Sequence, residues 1–267
     1  MKQVMTIAGS DSGGGAGIQA DLKAFAAMGV FGTSVVTAVT AQNTTGVTGI
    51  HDVPVATVRA QIRALFDDFE IAAVKTGMLS SAEIVSCVAD ELERAGERPL
   101  VVDPVMIAAS RAALMREGAV PELIERLLPL ATVATPNLHE ASVLAGMRVE
   151  SGEEIREAAR RIQGLGCRSV LVKGGHGGGD EAVDVLYDGK EFLEFRAPRL
   201  ESRGVHGTGC TYASALAARL ALGESVPRAV RNAKAFVTEA IRHGLDVGRG
   251  SGPTNPLYFL PEWRIDG

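Results

Sequence analysis

Cysteine is scarce in this chain of 267 residues. Cys87, Cys167 and Cys210 are the only ones, too few and too widely spaced for a disulfide framework or a zinc cluster. That scarcity points to a reducing compartment, and a cytoplasmic protein is the expectation. Excess positive charge is absent too. The net charge is −5 and the acidic residues are spread along the chain, so no electrostatic footprint for nucleic acid or an anionic membrane exists. No run of 18 apolar residues occurs, and the six-residue apolar-leaning run after Lys2 is too short for a signal peptide. Linkers, low-complexity tracts and internal repeats are missing as well. What remains is 46% apolar and 22% charged, an ordinary globular composition, and one α/β domain over residues 1–267 is the economical reading.

Short β-branched runs alternate with helical periods, the pattern of a parallel sheet covered by helices. The strands are expected at 3–8, 34–40, 71–75, 100–102, 132–135 and 169–173. Ser80-x-x-Glu83 and Ser151-x-x-Glu154 read as capping boxes ahead of helices that stop at Gly96 and Gly166. Ser225 precedes a long helix that ends at His243-Gly244. Residues 182–196 differ, because two alternating runs flank Asp188-Gly189; a β-hairpin at an antiparallel edge is expected there.

The buried strands are followed by Gly9-Ser10-Asp11, Thr76-Gly77-Met78, Asp103-Pro104-Val105, Pro136-Asn137 and Gly174-Gly175-His176. Ligands of open α/β sheets bind outside the carboxyl ends of the strands, so this gathering predicts a crevice along that edge. Turn chemistry enriches the same residues, and only the set carries weight.

The strongest local signal lies at 204–223, where Gly207, Thr208 and Gly209 lead into an apolar helix opened by Cys210. Successive backbone N–H groups at such a helix start favour an anion, and glycine lets it approach. A plain helix-start turn is the alternative. Cys210 in the first turn would gain thiolate character from the dipole, or it simply packs. Gly9 opens a second glycine-rich stretch, but it lacks the last glycine of G-x-G-x-x-G and the G-x-x-x-x-G-K-[ST] pattern, so close approach of a small ligand fits better than a dinucleotide. Gln42 offers a donor and an acceptor side by side, matching an aminopyrimidine edge, or it makes local loop bonds. Met78 could contact a flat ring or fill the core. Asp103 and Asn137-x-x-Glu140 supply oxygens suited to Mg2+ with ATP, or Asn137 merely caps a helix. Lys173, beside Gly174-Gly175-His176, suits a polyphosphate. His51, His139 and His243 have no partner spacing.

In order, GSDSGGGAGIQADLKAF, TAVTAQNTTGV, KTGML, VVDPVM, TPNLHEASVLAG, VKGGH, DVLYDG and HGTGC resemble the hydroxymethylpyrimidine/phosphomethylpyrimidine kinases of thiamin biosynthesis, members of the ribokinase-like superfamily. The resemblance covers nearly the whole chain. It implies a three-layer fold with a central, mostly parallel sheet, helices on both faces, and a homodimer. It also implies transfer of phosphoryl groups from Mg·ATP to 4-amino-5-hydroxymethyl-2-methylpyrimidine and then to its monophosphate. Gln42 would contact the aminopyrimidine, and Gly9, Asp21, Met78 and Val105 would line the same pocket. Cys210 inherits the position of the sugar kinases' aspartate base, within an anion hole formed by Gly207, Thr208 and Gly209. Asp103 and Glu140 would organise magnesium, and Lys173 and His206 would face ATP. Two departures stand out. Ala109-Ser110-Arg111 replaces the family's lysine-bearing loop, with Arg111 the substitute cation, and Gly204-Val205 replaces a polar pair before HGTGC. The rival readings are a pyridoxal or pyridoxine kinase of the same fold and a non-catalytic pyrimidine sensor.

Overall fold

Segments such as Leu100–Val102 and Val170–Val172 are apolar on both faces and must be covered on both. The computed structural model describes residues 1–107, 114–116, 118–150, 152–175, 179–202 and 204–260. It sets those segments in the middle of a nine-stranded sheet. Across the sheet the order is β3 (Gly46–Asp52), β2 (Phe31–Asn43), β1 (Gln3–Asp11), β4 (Ile71–Thr76), β5 (Leu100–Val102), β6 (Val133–Ala134), β7 (Val170–Val172), β8 (Glu181–Tyr187) and β9 (Phe192–Pro198). From β2 to β7 all neighbours are parallel, while β3, β8 and β9 run antiparallel at the two edges.

Period-two alternation sends successive residues to opposite cores. Met5, Val74, Val102 and Val172 face one layer, formed by α2 (Val55–Asp68), α3 (Ala82–Ala95), α4 (Ala119–Glu122) with the turns that follow it, α5 (Leu138–Ala145) and α6 (Gly152–Gln163). Val4, Ala73, Val101 and Leu171 face the other, formed by α1 (Gly17–Ala27), α7 (Thr208–Ala221) and α8 (Val226–Arg242). The three-layer α/β arrangement expected from the sequence is therefore present, and so is the hairpin around Asp188-Gly189.

Three local expectations change. The loop expected at Ala41-Gln42-Asn43 is strand, because β2 runs on to Asn43 and pairs with β3. The Asn43 carboxamide oxygen accepts from the amides of Thr45 and Gly46 at 2.9 and 3.2 Å and closes the turn without an Asn-Gly pair. The cap of α3 is Ser81, whose Oγ accepts from Ile84 N at 3.4 Å, not Ser80. Ser80 donates instead to Asp52 at 2.6 Å. Ser225 flanks α8 without a side-chain cap bond. Ser151, the loop with Arg111, and His176 lie outside the described residues.

A short parallel pair, β10 (Gly204–His206) with β11 (Gly252–Pro253), pins the chain just ahead of α7. This brings the 207–210 turn to the carboxyl edge of the main sheet, over β1, β4 and β5. No helix among the described residues is long and apolar enough to cross a membrane.

Candidate active site

The carboxyl ends of β1 and β2 build one side of the crevice. Asp11 closes β1, and its Oδ1 accepts from Gly13 N at 2.8 Å. Its Oδ2 accepts from the amides of Gly15 and Ala16 and lies 2.9 Å from His206 Nε2. Burial opposes the charge on Asp11, but the His206 bond and these amides outweigh it and hold the carboxyl below its ordinary range. Gln42, on β2, exchanges main-chain bonds with the Ser12 hydroxyl, and its amide lies between Thr40 and His206. Met78 Sδ covers Gly9 so closely that a Cβ there would sit 2.9 Å from the sulfur. Val105 is half-buried after β5, with its amide donating to Asp103 O at 2.8 Å.

Beneath the crevice lies a buried ion pair. Lys75 and Asp21 are both 0% exposed, and Lys75 Nζ donates to the two Asp21 oxygens at 3.0 and 2.9 Å. The same carboxylate accepts from Thr6 and Ser214 hydroxyls at 2.6 and 2.7 Å. Asp21, expected to line the ring pocket, is thus engaged with protein partners and secures Lys75. Burial disfavours the ammonium of Lys75, but Asp21, Cys210 and Asp103 around it win, and its pKa is raised. Lys75 escaped sequence reasoning. Its signal was a lysine inside the otherwise apolar strand IAAVKT. Asp11 was overlooked in the same way, as one polar residue in a glycine-rich loop.

The ends of β5, β6 and β7 build the other side. Lys173 Nζ donates to Asp103 Oδ1 at 2.7 Å, and Thr135 Oγ1 donates to the same oxygen at 2.9 Å. Burial works against both charges, but their mutual attraction prevails, lowering the Asp103 pKa and raising that of Lys173. Glu140 lies in the same cluster. Burial pushes its carboxyl up to about 7, against Lys173 and with help from Asp103. Its Oε2 accepts from Asn137 N at 2.8 Å while Asn137 Oδ1 accepts from Glu140 N at 2.9 Å, so the pair is a capping box as well.

Between the two sides sits the α7 start. Gly207 adopts φ +78°, and a Cβ there would fall 1.8 Å from Gly15 O. Thr208 turns its hydroxyl back to Val205 O at 2.7 Å and offers no side-chain cap, so the amides of the first turn point outward without an intrahelical partner. A Cβ on Gly209 would lie 3.3 Å from Lys173 Nζ and 3.8 Å from Asp103 Oδ2. The anion turn, Lys173 and Asp103 therefore converge. Cys210 also converges there, but its thiol departs from the thiolate expectation. Burial pushes it up to about 11, although Lys75 and the Gly17 amide pull the other way. His206, expected to face ATP, lies against Asp11 and Gln42.

Two cavities, of about 530 and 300 Å³, lie at the opposite, amino-terminal edge of the sheet around Phe66, Arg98 and Pro129. The convergent chemistry is at the carboxyl edge, and that edge is the candidate active site.

A sequence profile described as phosphomethylpyrimidine kinase matches residues 11–255. The chain belongs to the phosphomethylpyrimidine kinase family. One relative in this family, the hydroxymethylpyrimidine/phosphomethylpyrimidine kinase of Streptomyces coelicolor, is 54% identical over 97% of this chain and 96% of its own length. The thiamine biosynthesis bifunctional protein ThiED of Geobacter sulfurreducens is 52% identical over 98% of this chain, which spans only 53% of that longer protein. Among solved structures, a phosphomethylpyrimidine kinase from Clostridium difficile matches with TM-score 0.81 and 43% identity, covering 90% of this chain and all of that one. A Staphylococcus aureus pyridoxal kinase in complex with AMP-PCP and pyridoxal matches with TM-score 0.88 and 36% identity, covering 96% of this chain and 94% of that one.

Proposed function

We propose that this kinase transfers the γ-phosphoryl group of ATP to the hydroxymethyl group of 4-amino-5-hydroxymethyl-2-methylpyrimidine, and then to the resulting monophosphate. The observation that carries this reading is the convergence of Gln42, the uncapped 207–210 turn and Lys173 at one sheet edge, in a chain that matches its family over residues 11–255. The pyrimidine lies against Gly9, Met78 and Val105 with its amino edge on Gln42. Its hydroxyl oxygen attacks the γ-phosphorus, the bond from that phosphorus to the bridging oxygen breaks, ADP leaves, and the hydroxyl proton passes to an oxygen of the transferred phosphoryl group and from there to water. In the second cycle a phosphate oxygen of the monophosphate attacks instead.

Phosphoryl transfer is mostly positioning and charge stabilisation. The amides of Gly207, Thr208, Gly209 and Cys210 receive the charge on the equatorial oxygens, and Lys173 neutralises the ATP phosphates. Lys75, anchored by Asp21, keeps a fixed positive charge below the turn. Asp103 and Glu140 fit magnesium as water-mediated partners, since Lys173, Thr135 and the Asn137 amide already occupy oxygens of both. No cluster of three metal-ligating side chains exists among the described residues, which suits a cation carried in with the nucleotide. When bound, magnesium would screen the phosphate charge. Cys210 contributes a neutral sulfur beside the attacking hydroxyl, because its thiol keeps its proton at neutral pH.

The resemblance also supports a cytoplasmic homodimer. The pyridoxal reading draws on the Staphylococcus aureus structure at 36% identity, whereas sequence relatives at 46–54% are named as pyrimidine kinases. An ATP-consumption assay with the pyrimidine alcohol, its monophosphate and pyridoxal, compared by kcat/KM, tests the assignment. Both pyrimidines should be the preferred acceptors. Turnover of pyridoxal alone would overturn the assignment, and tight pyrimidine binding with no turnover would make the protein a sensor.

A further inference from the structure

The contacts around the Gln42 amide cannot all be hydrogen bonds as drawn. Gln42 Nε2 lies 3.3 Å from His206 Nε2, and that same ring nitrogen lies 2.9 Å from Asp11 Oδ2. Asp11 is a carboxylate that can only accept, and it already accepts from the amides of Gly13, Gly15 and Ala16. His206 Nε2 must therefore carry a proton toward Asp11, which leaves no lone pair for an N–H of Gln42. On the other side, Thr40 Oγ1 lies 3.2 Å from Gln42 Oε1 and 3.0 Å from Ser10 O. Its single proton would be divided between two acceptors.

Turning the amide by half a rotation resolves both conflicts, since carboxamide oxygen and nitrogen are distinguished only by their partners. Thr40 then donates to Ser10 O and accepts from Gln42 Nε2. His206 Nε2–H donates to Asp11 Oδ2, with Gln42 Oε1 as a second, longer acceptor. No donor then faces another donor, and only the His206 proton is shared. The backbone of Gln42 is held by the Ser12 hydroxyl at 2.7 and 2.8 Å, which fixes where its side chain begins. A side chain at Gly15 would strike His206, at 2.4 Å from its Cδ2, so the ring is packed as well as bonded.

We infer that His206, braced by Asp11, is a specificity-determining positioning residue that fixes the Gln42 carbonyl on its own side and the Gln42 NH2 on the Thr40 side. This rests on the reading that Gln42 faces the acceptor ring. The fixed order of acceptor and donor admits an amidine edge in one sense only. The exocyclic amino group donates to Oε1 on the His206 side, and the adjacent ring nitrogen accepts from Nε2 on the Thr40 side. In 4-amino-5-hydroxymethylpyrimidine the hydroxymethyl carbon is next to the amino-bearing carbon, on the side away from that ring nitrogen. Seating the amino group toward His206 therefore swings the hydroxymethyl group toward the turn that begins at Gly207. One histidine, at the junction of β10 and that turn, thus couples recognition of the ring to delivery of its hydroxyl.

The 4-oxo analogue of the acceptor presents the reverse order, a ring N–H donor and a carbonyl acceptor, and it separates orientation from mere binding. The wild-type kinase should prefer the amino over the oxo compound by about 100-fold or more in kcat/KM, as expected where a fixed polar pair meets its mismatch. His206→Ala frees the amide to turn, and the amino/oxo ratio should fall by about tenfold or more, chiefly through KM for the pyrimidines, with KM for ATP within about twofold of wild type. Thr40→Val removes the partner on the opposite side and should lower the same ratio, so the inference stays testable if the histidine variant fails to fold. A ratio within about threefold of wild type in each folded variant overturns the role of His206 while leaving the kinase assignment intact. Wild-type protein that phosphorylates pyridoxal but neither pyrimidine overturns the kinase assignment, and this inference with it.

Discussion

Two helices start at the same sheet edge, and their first turns are built oppositely. At α5 the sequence completes its own helix start: Asn137 and Glu140 exchange side-chain and backbone bonds, and two otherwise orphaned amides are satisfied. At α7 the N-cap is Gly207 in the left-handed region with no side-chain acceptor, and Thr208 turns its hydroxyl backward. A helix start left open beside a paired lysine and carboxylate is a place for a ligand's negative charge. Occupied amides mark the structural start, and open amides mark the chemical one.

The harshest challenge to this contrast is Gly207→Val. The new side chain would meet Gly15 O and oppose φ +78°, so the turn must deform. Losing its aligned donors should lower kcat by about 1,000-fold or more, since single donors of this kind are worth about 100- to 1,000-fold. A variant that kept near-normal kcat would show that the α7 amides are no more catalytic than those of α5.

Cys210→Ala sharpens the contrast by removing the sulfur and keeping the amides. It should cost about tenfold or less in kcat, below the ~100-fold or more of a true proton-transfer group, and leave pyrimidine binding in place. The wild-type kcat should stay flat from about pH 8 to 9, above the titration of Glu140, because a thiol pushed up to about 11 is protonated throughout that range. Were the thiolate the base, its fraction and kcat would rise about tenfold per pH unit toward that value, and a pH profile of that slope would restore the base role.

The gentlest test is Asn137→Ala at α5. Loss of this cap should cost about 0.5–2 kcal/mol in denaturant unfolding with kcat changed less than about twofold. A large kcat loss at unchanged stability would mean that α5 also serves the chemistry, through Glu140.

The layered α/β fold was legible because its strands are short, β-branched and apolar on both faces, a pattern with one physical solution. The hairpin at Asp188-Gly189 announced itself by its turn residues, and the one at Asn43 did not, because a side-chain oxygen closes that turn. Among the candidate residues, Lys173, Asp103 and the 207–210 turn do converge, and Gln42 lies beside His206. Asp21 and Lys75 were harder to place. One sits on an ordinary helix and the other in a strand, and neither spacing tells that they meet 2.9 Å apart beneath the site.

By itself the sequence determined the layers, the edge where the candidate residues gather and the open turn at α7, since local pattern and glycine geometry govern these. Only the tertiary structure decided the surroundings of the Cys210 thiol and the side on which His206 lies. Burial and neighbours separated by many residues set both: Lys75 and Asp21 surround the thiol, and Asp11 claims the histidine across 195 positions. Electrostatics in a buried site depends on distance through space, and the linear chain does not record that distance.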